Sequence, residues 1–347
     1  MTQPGAADIA TDELRDALER ALRDSSNPRR VTGLDRSPCA FTSSFTLEEL
    51  AVALDDGTQL DLMFKDLGTS GLSERARAAK PDFLYDPLRE IETYRSILAP
   101  VDLGTAAFYG SVVDPAHGRF WLFIENVTGT ALWQIGELEV WEAVARWTAE
   151  LHGRFADEEV PGAETLVRYD ADLFRLWMRR ALDFADRWEA QQPGKGRRTI
   201  QWLAERYEPV VERLAALPTT FIHGELYASN VLVEQGDGKT RICPIDWELA
   251  AIGPGLIDLA ALTMGWDAEE RSALTTAYRA RVQAGGEAGG PMDGGLTDGE
   301  PFGELLDCAR LHLAVQWLGW APDWRPPRSH RRNWVDEALT IAEELGL

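Results

Sequence analysis

Residues 221–246 read FIHGELYASNVLVEQGDGKTRICPID, and this stretch constrains the chain more than any other. Val231, Leu232 and Val233 form one β-type run and Arg241 to Ile245 another, separated by the turn Gln235-Gly236-Asp237-Gly238. That pattern predicts a β-hairpin. Glu225 sits in a histidine-glycine-carboxylate turn before it, Asn230 follows five residues later, and Asp246 another sixteen on. A hairpin of this length brings Asn230 and Asp246 together at its open end. A carboxylate and an amide oxygen side by side suit Mg²⁺, a hard cation that takes oxygen ligands and keeps substrate phosphates and waters in its shell. The chemistry implied is phosphoryl transfer.

A second hairpin is expected between Phe45 and Leu67, where LEELAVAL and QLDLMFKDL flank Asp55-Asp56-Gly57-Thr58, and Asp-Gly predicts a tight primed turn. In its second strand Leu60, Leu62 and Phe64 share one face, so Lys65 points away from the core. Leu14, Ala17, Leu18, Ala21 and Leu22 recur at helical spacing after Thr11 and predict an amphipathic helix over 11–23 that packs on a domain surface. PLREIETYRSIL, 87–98, reads as a helix opened by its proline, and RFWLFI, 119–124, as a buried strand that ends in a polar hinge at 125–129. Beyond it the helical period dominates: Val140, Val144, Trp147 and Leu151, then 170–190, 199–216, 304–319 and 331–345. The glycine-rich acidic segment 284–303 has no period and is expected to be a mobile loop.

At 347 residues the chain exceeds one compact core, so two lobes are expected. The net charge of -22 repels phosphate backbones and anionic lipid alike and speaks against nucleic acid as a partner. No apolar run reaches the length of a membrane span and no basic, then apolar, leader opens the sequence, which predicts a cytoplasmic protein with no membrane partner. Cys39, Cys243 and Cys308 are odd in number and far apart, a pattern of reduced, buried thiols rather than of disulfides or a zinc site.

The stretch around Glu225, Asn230 and Ile245-Asp246-Trp247 resembles the catalytic and metal-binding loops of the aminoglycoside phosphotransferase and choline kinase-like family, relatives of the protein kinases. The likeness extends over nearly the whole chain. It implies an α+β, protein-kinase-like two-lobed fold: a small antiparallel β-rich N-lobe with a leading helix, 1–126, which binds nucleotide, and a larger mainly helical C-lobe, 127–347, which holds the catalytic and acceptor sites. It implies ATP and Mg²⁺ as cofactors, with ATP in the cleft. Lys65 matches the nucleotide-binding lysine, Glu90 its helix partner with Glu92 as competitor, and Glu125 to Val127 the adenine-contacting linker. Asn230 and Asp246 match the metal ligands, Glu225 the acceptor-orienting base, and Asp258 in GPGLIDLAAL an aspartate that holds the catalytic loop. His223 is read as structural.

Two departures from the family pattern stand out. Glu225 replaces an aspartate and is one methylene longer, which places its carboxylate about 1 Å further out. Where protein kinases have a glycine run over the phosphates, this chain has Phe41-Thr42-Ser43-Ser44-Phe45, in which backbone amides and the hydroxyls of Ser43 and Ser44 are the candidate phosphate ligands. Among the 13 tryptophans, Trp317, Trp320 and Trp324 cluster near Asp323. Mostly this reads as core and lid packing, but with Glu248 these side chains are also candidates to hold a cationic or sugar acceptor. The acceptor expected is a hydroxyl of a small molecule, with a cation such as an aminoglycoside favoured by the charge. The alternatives are a kinase for serine or threonine of a ribosomal peptide and a nucleotide-binding pseudokinase or scaffold, which the glutamate at 225 and the missing glycine run would suit.

Overall fold

The computed structural model describes residues 9–24, 29–39, 44–156, 159–236, 238–285, 301–320 and 332–347. The chain divides into two compact units, Met1–Thr130 with Leu232–Glu248, and Ala131–Val231 with Leu249–Leu347. Ser43, Asp323, Trp324 and most of the glycine-rich segment 284–303 lie outside the described residues.

The first unit is built on a five-stranded antiparallel sheet. Its strands are β1 (Val31–Pro38), β2 (Thr46–Leu54), β3 (Gln59–Asp66), β4 (Phe108–Asp114) and β5 (Arg119–Glu125), in the order β1-β2-β3-β5-β4. Strand alternation sends Leu50, Val52, Leu62, Phe64, Trp121 and Phe123 to one face. Helix α1 (Thr11–Asp24) lays Leu14, Ala17, Leu18, Ala21 and Leu22 on that face, so the apolar stripe read in the sequence is the stripe that packs. Phe64 stacks on Phe123 with centroids 5.3 Å apart and meets Trp121 edge-on at 5.8 Å. Truncating such a ring to alanine costs about 3–5 kcal/mol. The helix comes close to β4 because Gly110 has no side chain: a Cβ there would stand 2.7 Å from the Ala21 Cβ, and φ is +146°.

The β2–β3 turn differs from the expected two-residue primed turn. Gly57 N donates to Leu54 O and Leu54 N to Thr58 O, with Gly57 at φ +86° and Asp56 not in the left-handed region. This is a type I turn closed by a left-handed glycine, a three-residue loop, because either primed turn over Asp56-Gly57 needs positive φ at Asp56 and Asp56 does not adopt it. The helix expected over 87–98 starts at Arg89 instead, with Asp86 Oδ1 accepting from Leu88 N so that Pro87 lies in the preceding turn. Arg89–Glu92 is α-helical and Thr93–Leu98 is wound wider, Ala99 N reaching back to Tyr94 O. Segment Leu232–Glu248 carries most of the hairpin of β6 (Val231–Gly236) and β7 (Lys239–Pro244).

The second unit is mainly helical. Its longest helices are Leu138–Arg154, Ala268–Gly285 and Phe302–Gly319. Phe302–Gly319 is apolar around most of its circumference and accordingly buried, against Ala171–Asp183, Leu256–Leu262 and Trp334–Glu344. A small sheet of Val167–Arg168, Ala251–Pro254 and Thr219–Ile222 lies in the same unit, its central strand parallel to the first and antiparallel to the last. The three cysteines are buried thiols, and burial pushes that of Cys243 up to about 12. Among the described residues, no helix is long and apolar enough to cross a membrane.

Candidate active site

In the first unit, β3 presents Lys65 on the face opposite Phe64, and its side chain is only 4% exposed. Lys65 Nζ lies 2.6 Å from Glu90 Oε2 and 2.5 Å from Asp246 Oδ1. The competitor Glu92 is turned elsewhere: it accepts from Ser96 Oγ and pairs with Arg95. Burial alone would strip the proton from Lys65, but the carboxylates of Asp246, Glu90 and Glu248 outweigh it and hold the ammonium well above the ordinary lysine value. Burial pushes the Glu90 carboxyl up to about 7 against the pull of Lys65. Asp246 adopts φ +66°, the one non-glycine residue with positive φ among the described residues. Such a conformation costs about 1–3 kcal/mol and persists only where its surroundings fix it.

Two residues on, Glu248 accepts from Ser44 Oγ at 3.0 Å and from Lys80 Nζ at 2.8 Å, and its carbonyl accepts from Arg89 Nη1 at 2.8 Å. Lys65 and Lys80 both stand over the Phe45 ring, 5.4 and 5.3 Å from its centroid. The unit thus gathers two lysines and three carboxylates around one aromatic ring, and no motif in the sequence singles out Lys80. At the end of β5, Glu125 is held by Arg241 through two bonds of 2.7 Å and accepts from Ala107 N. Hydrogen bonding to Arg241 pulls its carboxyl below the usual value. Arg241 also donates to Glu234 and to the carbonyls of Gly104 and Thr105, which ties the β6–β7 hairpin to the strand end. Val127 is half-buried two residues further on.

In the second unit, strand Thr219–Ile222 delivers His223, Gly224 and Glu225 into a turn organised by Asp258. Its carboxylate is fully buried and accepts from His223 N at 2.7 Å and Gly224 N at 2.9 Å. His152 Nε2 is 3.2 Å from the same carboxylate and its Nδ1 is 2.9 Å from Tyr278 Oη, a relay the sequence did not reveal. Gly224 has φ +82°, and a Cβ there would stand 2.3 Å from the Leu249 carbonyl, so glycine is required twice over. His223 Nδ1 accepts from Glu225 N. The Glu225 carbonyl accepts from Tyr227 N at 2.7 Å and from Asn230 Nδ2 at 3.0 Å, which fixes the asparagine amide. Glu225 and Asn230 are both half-buried. Tyr227 accepts from Trp317 Nε1, and Trp317 stacks on Trp334 at 5.0 Å, whereas Trp320 stacks on Trp177 at 5.7 Å.

Asp246 and Asn230 offer the donor types that Mg²⁺ takes, one carboxylate and one amide oxygen. Asn230 commits its Nδ2 to the Glu225 carbonyl, which sets its oxygen on the other side of the amide. Among the described residues no three His, Cys, Asp or Glu side chains converge as a metal cage. Mg²⁺ at phosphate sites needs none, since one or two protein ligands plus substrate oxygens complete its shell. By donor type each residue suits the ion.

An antiparallel β-sheet unit followed by a helical unit carrying a His-Gly-carboxylate turn defines a protein-kinase-like fold. Residues 87–292, more than half of the chain, match the phosphotransferase enzyme family, and the chain belongs to that family. Similar solved structures include a microcompartment-associated aminopropanol kinase, 16% identical with 90% of each chain covered and a TM-score of 0.54. They also include the choline kinase LicA from Streptococcus pneumoniae, 14% identical over 96% of this chain and 99% of that one, TM-score 0.54. A third is the GDP complex of aminoglycoside 2'-phosphotransferase-IIIa, 14% identical over 95% and 97%, TM-score 0.53. No curated protein matches the sequence.

Proposed function

We propose that this phosphotransferase is an ATP- and Mg²⁺-dependent kinase that moves the γ-phosphoryl group to a hydroxyl of a small molecule. The observation that carries the reading is Lys65, an ammonium buried between Glu90 and Asp246 in a chain whose family transfers phosphoryl groups. In this reading the lobe of 1–126 binds the nucleotide and that of 127–347 carries the catalytic turn and the acceptor. Lys65 holds the α- and β-phosphates, Glu90 orients it, and Glu125 to Val127 line the base, with Ser43 and Ser44 toward the phosphates. Asp246 and Asn230 hold Mg²⁺, which when bound neutralises charge on the transferred phosphoryl oxygens. Glu225 orients the acceptor hydroxyl and takes its proton as the oxygen bonds to the γ-phosphorus and ADP leaves with the bridging oxygen. Asp258 and His223 keep the turn that carries Glu225 in place.

The similar structures named above act on aminopropanol, choline and an aminoglycoside. Together with the charge of -22, which attracts cations over distance, they favour a cationic acceptor. The aromatic side chains Trp317 and Tyr227, close to Glu225 in the fold of their unit, are the candidates to border it.

The test is ADP release in the presence of Mg·ATP across amino alcohols, aminoglycosides, nucleosides, sugars and serine-containing peptides. Release that rises with an amine-bearing small molecule and stops without Mg²⁺ is expected. Stimulation by the peptides alone would make the protein a peptide kinase. Nucleotide binding without turnover on any acceptor would leave a pseudokinase.

A further inference from the structure

Resting on this reading of the nucleotide site, we propose that Lys80 is a positioning residue: through Glu248 it holds the turn that presents Asp246 to the metal. Neither composition nor spacing marks Lys80, which follows the helix Glu74–Ala79 and precedes Pro81. Its side chain is 6% exposed and the Glu248 side chain 10%, so the ion pair between them, at 2.8 Å, is shielded from water. A charge placed there must be matched, because an unpaired one would be left without solvent.

Glu248 is fastened from three separate places in its unit. Lys80 holds one carboxylate oxygen, Ser44 the other at 3.0 Å, and Arg89 the backbone carbonyl at 2.8 Å. Arg89 is the immediate neighbour of Glu90, so the same anchor connects the Lys65 partner to the Asp246 turn. Between Asp246 and Glu248 lies Trp247, fully buried and bonded from Nε1 to the Pro244 carbonyl at 3.1 Å. Asp246 itself is held at φ +66°, in the left-handed region that non-glycine residues seldom occupy, although aspartate tolerates it better than most. With Trp247 locked and Glu248 clamped, residue 246 has no freedom to relax, and its carboxylate stays on Lys65. Glu248 is therefore committed to holding this turn rather than to an acceptor, and Lys80 supplies the charge that allows it to be buried there.

Outer partners of metal-ligating carboxylates typically set affinity by about 10- to 100-fold. The experiment is a Mg²⁺ titration of nucleotide binding, read by the thermal protection that ATP gives the full chain, in wild type and in Lys80→Met, Lys80→Arg and the Lys80→Met/Glu248→Met double variant. The single change to methionine should raise the Mg²⁺ concentration for half-maximal protection by about tenfold while protection by metal-free ADP stays as in wild type. Lys80→Arg, which restores the charge, should recover most of the loss. Should Lys80→Met fail to fold, the double variant, with no buried charge left unpaired, carries the same expectation. An unchanged midpoint in the folded variants overturns the proposal. So does a lower midpoint in Lys80→Met, which would mean that Lys80 masks Glu248 as a direct metal ligand. Wild type that shows no Mg²⁺-dependent protection at all would overturn the nucleotide reading itself, a result distinct from both.

Discussion

Lys65 Nζ and Asp246 Oδ1, 181 residues apart in sequence, are 2.5 Å apart in the fold. Glu90 approaches the same ammonium at 2.6 Å. One cation is thus shared by two carboxylates. Lys65→Met should lower turnover by at least about 10²-fold, since a positioned cation acts on charge that builds in the transition state. It also leaves Glu90 buried without its cation, a change of the kind that costs about 3–5 kcal/mol. The double variant Lys65→Met/Glu90→Met should regain most of that stability and none of the activity. Denaturant midpoints and ADP release together check both halves, and stability equally low in the double variant would show that the pair is not the source of the loss.

The turn that carries Glu225 rests on Asp258 in a different way. Its two oxygens accept from the successive backbone donors His223 N and Gly224 N. Asp258→Asn replaces one acceptor by a donor and leaves one of these buried N–H groups unmatched, a loss of about 1–3 kcal/mol. Because Glu225 follows at once, turnover should fall more than stability implies. Hydrogen exchange at residues 223 and 224 would report the loosening directly, and unchanged protection there would remove Asp258 from this role.

The elements that position these residues differ in how plainly the sequence shows them. The stripe of Leu14, Leu18 and Leu22 and the alternation of Leu62 and Phe64 are local periods, and the buried faces they predict are the buried faces observed. Strand β1 carries no clear strand signal, because Val31–Pro38 alternates poorly. Lys80 and Glu248 are 168 residues apart, and His152 and Asp258 are 106 apart. No spacing rule connects such pairs. Arg241 likewise reads as a strand residue until the fold brings Glu125, Gly104 and Thr105 around its guanidinium. The Asp-Gly dipeptide does not decide the turn type, because it favours positive φ at the glycine and leaves the preceding residue free.

His312 supplies a prediction about acid. It is fully buried on the helix Phe302–Gly319, 2.8 Å from Tyr207 Oη at Nδ1 and edge-on to Phe174. Burial holds its pKa down at about 3. The unfolded chain takes up this proton near pH 6.5 and the folded chain does not, so the unfolded state binds more protons between these values. The contribution is fully present above about pH 6.5 and is lost as pH falls toward 3, at up to about 1.4 kcal/mol per pH unit. His312→Asn keeps an acceptor for Tyr207 and cannot titrate. Its stability should fall less steeply than wild type between pH 6.5 and 4, and parallel curves would mean that His312 is not the group being protonated.

Glu225 decides between a kinase and a nucleotide-binding scaffold, and its backbone is already fixed: the carbonyl accepts from Tyr227 N and Asn230 Nδ2, and its N–H reaches His223 Nδ1. The side chain alone is therefore varied by substitution. Glu225→Gln keeps length and removes charge, and if the carboxylate takes the acceptor proton it should cut acceptor phosphorylation by about 10²-fold or more. Nucleotide protection should barely change, because in that role the residue acts on the acceptor. Glu225→Asp restores charge but withdraws the carboxylate by about 1 Å, enough to cost activity if the acceptor docks for the longer side chain. A gain in the aspartate variant would instead show that the wild-type base is poorly placed for its acceptor. If wild type and Glu225→Gln release ADP at the same negligible rate with every acceptor while both bind ATP, the residue is no base and the scaffold is the better account of this chain.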